Sequence, residues 1–129
     1  GCMLAGVAYE DRTDLEFCRQ IATELLKTAR AVLLTGYSPS PDTVGFYYSD
    51  GQTEFAHAGP RHPRSCHGTG DIYASAFVGA LVRGKTAYDA ARIAADYTVE
   101  CIKETARLDN HWYGAAFEPV ILKLIQALQ

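Results

Sequence analysis

The stretch Gly68-Thr69-Gly70-Asp71 combines residue types that could bind and transfer a phosphate. Glycine adopts backbone angles that other residues avoid, so the N–H groups around Thr69 can converge on one point as an anion nest. The residues from Asp71 onward have helical spacing, and a helix start adds free N–H groups and the positive end of its dipole. The sequence therefore predicts a phosphate-binding turn with a carboxylate beside it.

The same four residues have a simpler explanation. An aspartate at the start of a helix is also a common N-cap, whose side chain accepts a hydrogen bond from the helix backbone. The motif alone does not separate a catalytic acid from a helix cap, and both interpretations stay open at this point.

Composition restricts the class of protein. The chain has 129 residues, of which 48% are hydrophobic and 21% charged, and these values are typical of one globular domain. Its net charge of −3 argues against a nucleic-acid surface. No apolar run approaches the roughly 18 residues of a membrane span and the start lacks a basic region, so we expect a cytoplasmic location and no membrane partner. We expect no structural zinc site or disulfide framework and name no metal-ligating residue, because the cysteines are widely spaced, at Cys2, Cys18, Cys66 and Cys101.

Hydrophobic periodicity predicts four helices, over residues 13–29, 71–83, 86–106 and 119–128. Thr13 and Thr86 have the spacing of N-capping residues, and Gly84 follows the second helix where a C-terminal glycine belongs. For the helix over 86–106 we predict that Ala87, Ala91, Ala94, Thr98 and Ile102 mark the buried face.

Strand material is short in comparison. Residues 31–35, AVLLT, are apolar at four consecutive positions, which is typical of a parallel strand covered on both faces. Residues 44–58 contain two strand-like runs around an Asp50-Gly51 step, which predicts a hairpin. The predicted class is α/β with an incomplete sheet, and the whole chain, 1–129, is expected to form a single unit that is the C-terminal part of a longer α/β protein.

A longer match surrounds the glycine turn. The tetrapeptide Gly68-Thr69-Gly70-Asp71 resembles the signature of the ribokinase-like superfamily of sugar and vitamin kinases. The run HGTGDIYASAFVGALVRGKTAYDAARIAADYTVECIKET resembles its pyridoxal (vitamin B6) kinase branch, and NHWYGAAFEP resembles bacterial pyridoxal and pyridoxamine kinases. The resemblance covers essentially the whole chain and corresponds to the C-terminal part of that family. It implies part of an α/β/α sandwich with a partial, mostly parallel central sheet and a β-hairpin.

The resemblance also implies an activity. It is the ATP-dependent phosphorylation of the 5′-hydroxymethyl group of pyridoxal, pyridoxine or pyridoxamine, with Mg²⁺ and a monovalent cation such as K⁺ as cofactors. Asp71 would be the catalytic base, and the amides of Gly68, Thr69 and Gly70 would bind the phosphoryl group. A homodimer is expected. Alternatives are a hydroxymethylpyrimidine-type kinase of the same superfamily and a nucleotide-binding fragment without catalysis, and the isolated chain is expected to have little activity.

Two further positions are implicated through the family. Thr35 and Gly36 end the predicted strand at 31–35, where family members carry a Thr-Ser or similar pair that touches ATP phosphates. Gly36 departs from the commoner serine, and Thr35 is equally typical of a plain strand end. The polar and aromatic loop Asp109–Tyr113 is a candidate border of the adenine pocket. The basic residues before the motif, Arg61, His62, Arg64 and His67, are candidates for positive potential near ATP, but we expect them mainly to solvate a loop.

Overall fold

The computed structural model describes residues 1–63, 66–108 and 114–129. The chain divides into two compact units, residues 1–61 and 62–129, and each is described by itself. The expectation that the whole chain forms a single unit stays a prediction.

The first unit contains two helices and a three-stranded antiparallel sheet in the order β1-β2-β3. Its first helix ends at Gly6, which adopts a left-handed conformation with φ 65°. In chain order the elements are α1 (Cys2–Ala5), α2 (Leu15–Leu25), β1 (Val32–Tyr37), β2 (Thr43–Ser49) and β3 (Glu54–Pro60).

The predicted hairpin is confirmed. Strands β2 and β3 pair antiparallel from Thr43 opposite Pro60 to Ser49 opposite Glu54. At their turn the Asp50 carboxylate accepts hydrogen bonds from the N–H groups of Gln52 and Thr53, at 2.9 and 2.7 Å. These bonds, the one from Thr53 first, lower the pKa of Asp50. An aspartate that accepts bonds from the turn backbone is the reason why Asp-Gly steps predict hairpins.

The α/β class is also confirmed, whereas the parallel arrangement is wrong for the strands described. Strand β1 pairs antiparallel with β2, from Val32 opposite Ser49. Only residues 38–42 join the two strands, and a parallel pair needs a crossover of about a dozen residues or more. The burial expected on both faces is also absent, since Val32 is buried but Thr35 and Gly36 are exposed.

Helix α2 packs against this sheet. Its buried residues Cys18 and Ala22 join Val32 of β1 and Tyr47 of β2 in one apolar cluster. The helix is shorter than the predicted 13–29, and its N-cap is Asp14 rather than Thr13, because the Asp14 carboxylate accepts from the N–H of Phe17 at 3.1 Å.

Gly45 is the tightest point of the sheet. A Cβ at this residue would lie 1.7 Å from the carbonyl oxygen of His57 and 2.7 Å from the Cα of Ala58, so the strand opposite would have to move. We expect Gly45→Ala to lower the free energy of unfolding by about 2 kcal/mol, measured by urea denaturation. Gly59→Ala is the control, because a Cβ on Gly59 in β3 meets nothing within 4 Å. Equal urea midpoints for the two variants would show that β3 can move away from position 45 without a loss of stability.

The second unit is helical, and its capping signals are confirmed. Thr86 accepts a hydrogen bond from the N–H of Asp89 at 3.1 Å, and Gly84 has φ 85° after the preceding helix. The elements are α3 (Thr69–Val82), α4 (Ala87–Arg107), a 3-10 turn (Glu118–Val120) and α5 (Ile121–Leu128). Helices α3 and α4 bury a set of small side chains, which allows close backbone approach: Ala76, Ala80, Ala90, Ala91 and Ala94.

The buried face of α4 differs from the predicted one. Thr98 and Ile102 are half-buried, whereas Tyr97, Cys101 and Thr105 are buried. The predicted stripe followed the small and aliphatic residues, but the phenol of Tyr97 and the hydroxyl of Thr105 have hydrogen-bond partners inside the unit and can therefore be buried. Among the described helices, none has the length and hydrophobicity needed to span a membrane.

Candidate active site

Helix α3 begins directly after Gly68, which occupies the N-cap position with φ 83° and ψ 0°. No side chain caps this helix start. The first backbone hydrogen bond of the helix is donated by the N–H of Ile72 to the carbonyl of Gly68, at 3.0 Å. The N–H groups of Thr69, Gly70 and Asp71 therefore have no partner within the helix and are available to an anion.

The two glycines of the motif have different roles in the backbone. Gly68 has the left-handed angle that the anion nest requires. Gly70 does not, since it lies within α3 and is absent from the positive-φ positions. A Cβ at Gly70 would meet nothing within 4 Å, so this glycine leaves open space beside the helix start. The expectation that both glycines adopt unusual angles is correct only for Gly68.

Asp71 is the third residue of α3 and not its N-cap. Its side chain is exposed, and no hydrogen bond or ion pair to it is found among the described residues. A carboxylate in the first turn is favoured there by the helix dipole. The structure thus removes the explanation of Asp71 as a simple capping residue and leaves its carboxylate available to a ligand.

Asp71 faces a cleft of about 390 Å³ within the second unit. One side of the cleft is the start of α3 and the two residues before it, and the other side is the segment that leads into the 3-10 turn. The lining residues are His67, Gly68, Asp71, Ile72, Gly114, Ala115, Phe117 and Glu118.

Hydrogen bonds to three consecutive residues hold the segment opposite α3. The N–H of Ala115 donates to the carbonyl of His67 at 3.1 Å, and the N–H of Ala116 donates to the hydroxyl of Thr105 at 2.7 Å. The phenol of Tyr97 donates to the carbonyl of Phe117 at 3.0 Å. Burial raises the pKa of Tyr97 to about 12, so this phenol remains a donor at neutral pH. The wall of the cleft is therefore fixed from α4.

The described residues do not form a metal site by themselves, since no three His, Cys, Asp or Glu side chains among them lie close enough to share an ion. The lining supplies two carboxylates, Asp71 and Glu118. Mg²⁺ commonly binds one or two carboxylates together with substrate phosphates and water. This donor set does not define an ion position.

Thr35 and Gly36 lie in the first unit, at the end of β1. The register of β1 shifts between Thr35 and Tyr37, and Gly36 has φ 84° at this bulge. The left-handed angle at this bulge explains why position 36 is glycine and not the serine expected from the resemblance, because a serine would be strained there. In the same unit, Arg61 donates to the carbonyls of Pro41 and Thr43, which favours a structural role for this side chain.

Arg64 and the loop Asp109–Tyr113, which sequence analysis named as candidates, lie outside the described residues. Phe117, Glu118 and Thr105 lie within the family-like runs quoted in the sequence analysis, but none of them was given a role in the site. Pro119 marks a turn after the first two, but nothing in the sequence around Thr105 distinguishes it from other residues of an amphipathic helix.

Comparison with protein families identifies the family of this chain. The family model described as phosphomethylpyrimidine kinase matches residues 2–116. The chain belongs to this family. The resemblance to ribokinase-like kinases is thereby confirmed, and the family is one of phosphotransferases that act on small molecules.

Solved structures of other proteins have the same fold as this chain. Pyridoxal kinase from Lactobacillus plantarum superposes with a TM-score of 0.81 at 23% identity, over 97% of this chain and 46% of that chain. A putative phosphomethylpyrimidine kinase from Bacteroides thetaiotaomicron superposes with a TM-score of 0.82 at 21% identity, over 93% and 43%. The chain thus spans less than half the length of these relatives. Comparison with curated proteins gives no significant match.

Proposed function

We propose that the full-length protein transfers a phosphoryl group from ATP to the 5′-hydroxymethyl group of pyridoxal, pyridoxine or pyridoxamine. One observation carries this proposal. Gly68 turns the chain so that free N–H groups begin α3, and the exposed carboxylate of Asp71 faces the same cleft. Phosphoryl transfer needs both, because donors must meet the charge on the phosphate while an acceptor takes the proton of the alcohol.

Asp71 is the proposed base. The reference pKa of an aspartate, about 3.9, is far below that of an alcohol, so the carboxylate does not deprotonate the hydroxyl before reaction. In a loose phosphoryl-transfer transition state the attacking oxygen becomes acidic late. The Asp71 carboxylate then orients the hydroxyl and accepts its proton as the new oxygen–phosphorus bond forms.

The backbone amides are the proposed anion site. The N–H groups of Gly68, Thr69 and Gly70 face the charge that develops on the transferring phosphoryl oxygens, and they are already oriented by the turn. Thr35 and Gly36 are proposed as further phosphate contacts, on the strength of the family resemblance. ATP and Mg²⁺ are the expected cofactors, a monovalent cation such as K⁺ is proposed from the same resemblance, and a homodimer is the expected assembly.

A hydroxymethylpyrimidine is the second candidate substrate, and a specific observation favours it. The matching family model is named for phosphomethylpyrimidine, whereas one structural relative is described as a pyridoxal kinase and another was crystallised with pyridoxal. Hydroxymethylpyrimidine and pyridoxal both present a hydroxymethyl group on an aromatic nitrogen heterocycle, so the same base and anion site would serve either.

The test is product formation by the full-length protein with Mg-ATP and either pyridoxal or a hydroxymethylpyrimidine. We expect kcat/KM for pyridoxal to exceed that for the pyrimidine by about tenfold or more, since a site with hydrogen-bonding groups for one ring rejects the other. The reverse preference would assign the pyrimidine reaction. The isolated chain is expected to be nearly inactive, because both substrates must be held in one geometry.

Loss of both activities would leave a nucleotide-binding protein without catalysis. Calorimetry with Mg-ATP distinguishes such a protein from one with no ATP site, because it would still bind the nucleotide. Absence of both turnover and nucleotide binding in the full-length protein would contradict the kinase proposal altogether.

A further inference from the structure

The hydroxyl of Thr105 connects α4 to the wall of the cleft. Thr105 is 1% exposed and its hydroxyl donates to the carbonyl of Cys101 at 2.6 Å. With its proton directed there, the oxygen accepts from the N–H of Ala116 at 2.7 Å. Ala116 is also buried, at 1% exposed, so water does not readily replace this acceptor.

The preceding residue, Ala115, extends this chain of hydrogen bonds to the turn before α3. Ala115 donates its N–H to the carbonyl of His67 at 3.1 Å, and His67 immediately precedes Gly68. A peptide group is planar and trans, so a hydrogen bond that fixes the carbonyl of His67 also fixes the direction of the Gly68 N–H. The position of the Thr105 hydroxyl therefore bears on the first donor of the proposed anion site.

We propose that Thr105 is a positioning residue for phosphoryl transfer, which acts through Ala116, Ala115 and His67 on the Gly68 amide. This inference rests on the proposed function. Thr105 touches no substrate, and its contribution is to hold the amide in the direction that the transition state requires.

Thr98 shows what a threonine of α4 does without this role. Its hydroxyl donates to the carbonyl of Ala94, one turn earlier in the helix, at 2.7 Å. Thr105 makes the equivalent bond to the carbonyl of Cys101. Within the described part of the chain no group donates to the Thr98 hydroxyl. Thr98→Val thus removes the helical back-bond alone, whereas Thr105→Val removes the back-bond and the acceptor of Ala116.

The experiment compares Thr105→Val, Thr105→Ser and Thr98→Val in the full-length protein, by steady-state kinetics and by hydrogen exchange of the Ala115 and Ala116 amides. We expect Thr105→Val to lower kcat about tenfold with little change in the KM for pyridoxal, and to speed exchange at both amides. Thr105→Ser keeps the hydroxyl and should retain most of the activity, and Thr98→Val should resemble the wild type. If Thr105→Val does not fold, Thr105→Ala takes its place.

Three results would overturn the inference: a folded Thr105→Val with wild-type kcat, an equal loss in Thr98→Val, or faster exchange at Ala116 with none at Ala115. A wild-type protein that phosphorylates neither heterocycle would refute the proposed function instead. In that case exchange tests only the structural link from Thr105 to Ala115, which stands if Thr105→Val but not Thr105→Ser speeds exchange at Ala115 and falls if it does not.

Discussion

Replacement of Asp71 by asparagine is expected to lower kcat of the full-length protein about a thousandfold, in the range observed for loss of a general base. The amide has nearly the same shape as the carboxylate but cannot accept the proton of the hydroxymethyl group. Nucleotide affinity should change little, because the free N–H groups at the start of α3 remain. Steady-state kinetics with pyridoxal and Mg-ATP, together with calorimetry for the nucleotide, measure both quantities.

Asp96→Asn is the matched control, since Asp96 is an exposed carboxylate on α4 and does not line the cleft. It should keep wild-type kcat. Asp71 is itself exposed and has no described partner, so Asp71→Asn should unfold near the wild-type midpoint. A variant of Asp71 with near-normal kcat would show that this residue is not the base and that the alcohol loses its proton elsewhere.

Local signals in the sequence predicted the second unit well. Gly84 marks the end of α3 and Thr86 the start of α4, because each acts on backbone groups within a few residues. The start of α3 was predicted at Asp71, whereas the helix begins two residues earlier, at Thr69, after the left-handed Gly68. Such signals need no knowledge of the rest of the fold.

Tertiary features were less accessible. The direction of β1 was predicted wrongly, because the prediction relied on its apolar run. The strands β1 and β2 are joined only by residues 38–42, and so short a connection permits only an antiparallel pair. From the sequence, Gly36 only differed from the serine that the resemblance led us to expect. The left-handed φ at the bulge explains why this position is a glycine. Thr105 contacts Ala116, eleven positions away, and no periodicity reveals that pair.

Gly68→Ala is the second variant with a large expected effect. A Cβ at Gly68 meets nothing within 4 Å, so the cost is the left-handed backbone itself, about 1 kcal/mol in stability. An alanine relieves this strain by rotating toward negative φ, which turns the amides of Gly68 and Thr69 away from a common point. We expect kcat to fall about a hundredfold, comparable to loss of one donor in a preorganised anion site.

Gly84→Ala separates strain from function in this prediction. Gly84 has φ 85°, nearly the same as Gly68, and a Cβ there also meets nothing within 4 Å, but it lies at the other end of α3. Both alanine variants should lose similar stability in urea denaturation, and only Gly68→Ala should lose kcat. Gly70→Ala should instead gain up to about 1 kcal/mol, because Gly70 is helical and alanine favours helix. Equal kcat values for the variants at Gly68 and Gly84 would mean that the left-handed turn serves only to start the helix and that the phosphate is bound by other groups.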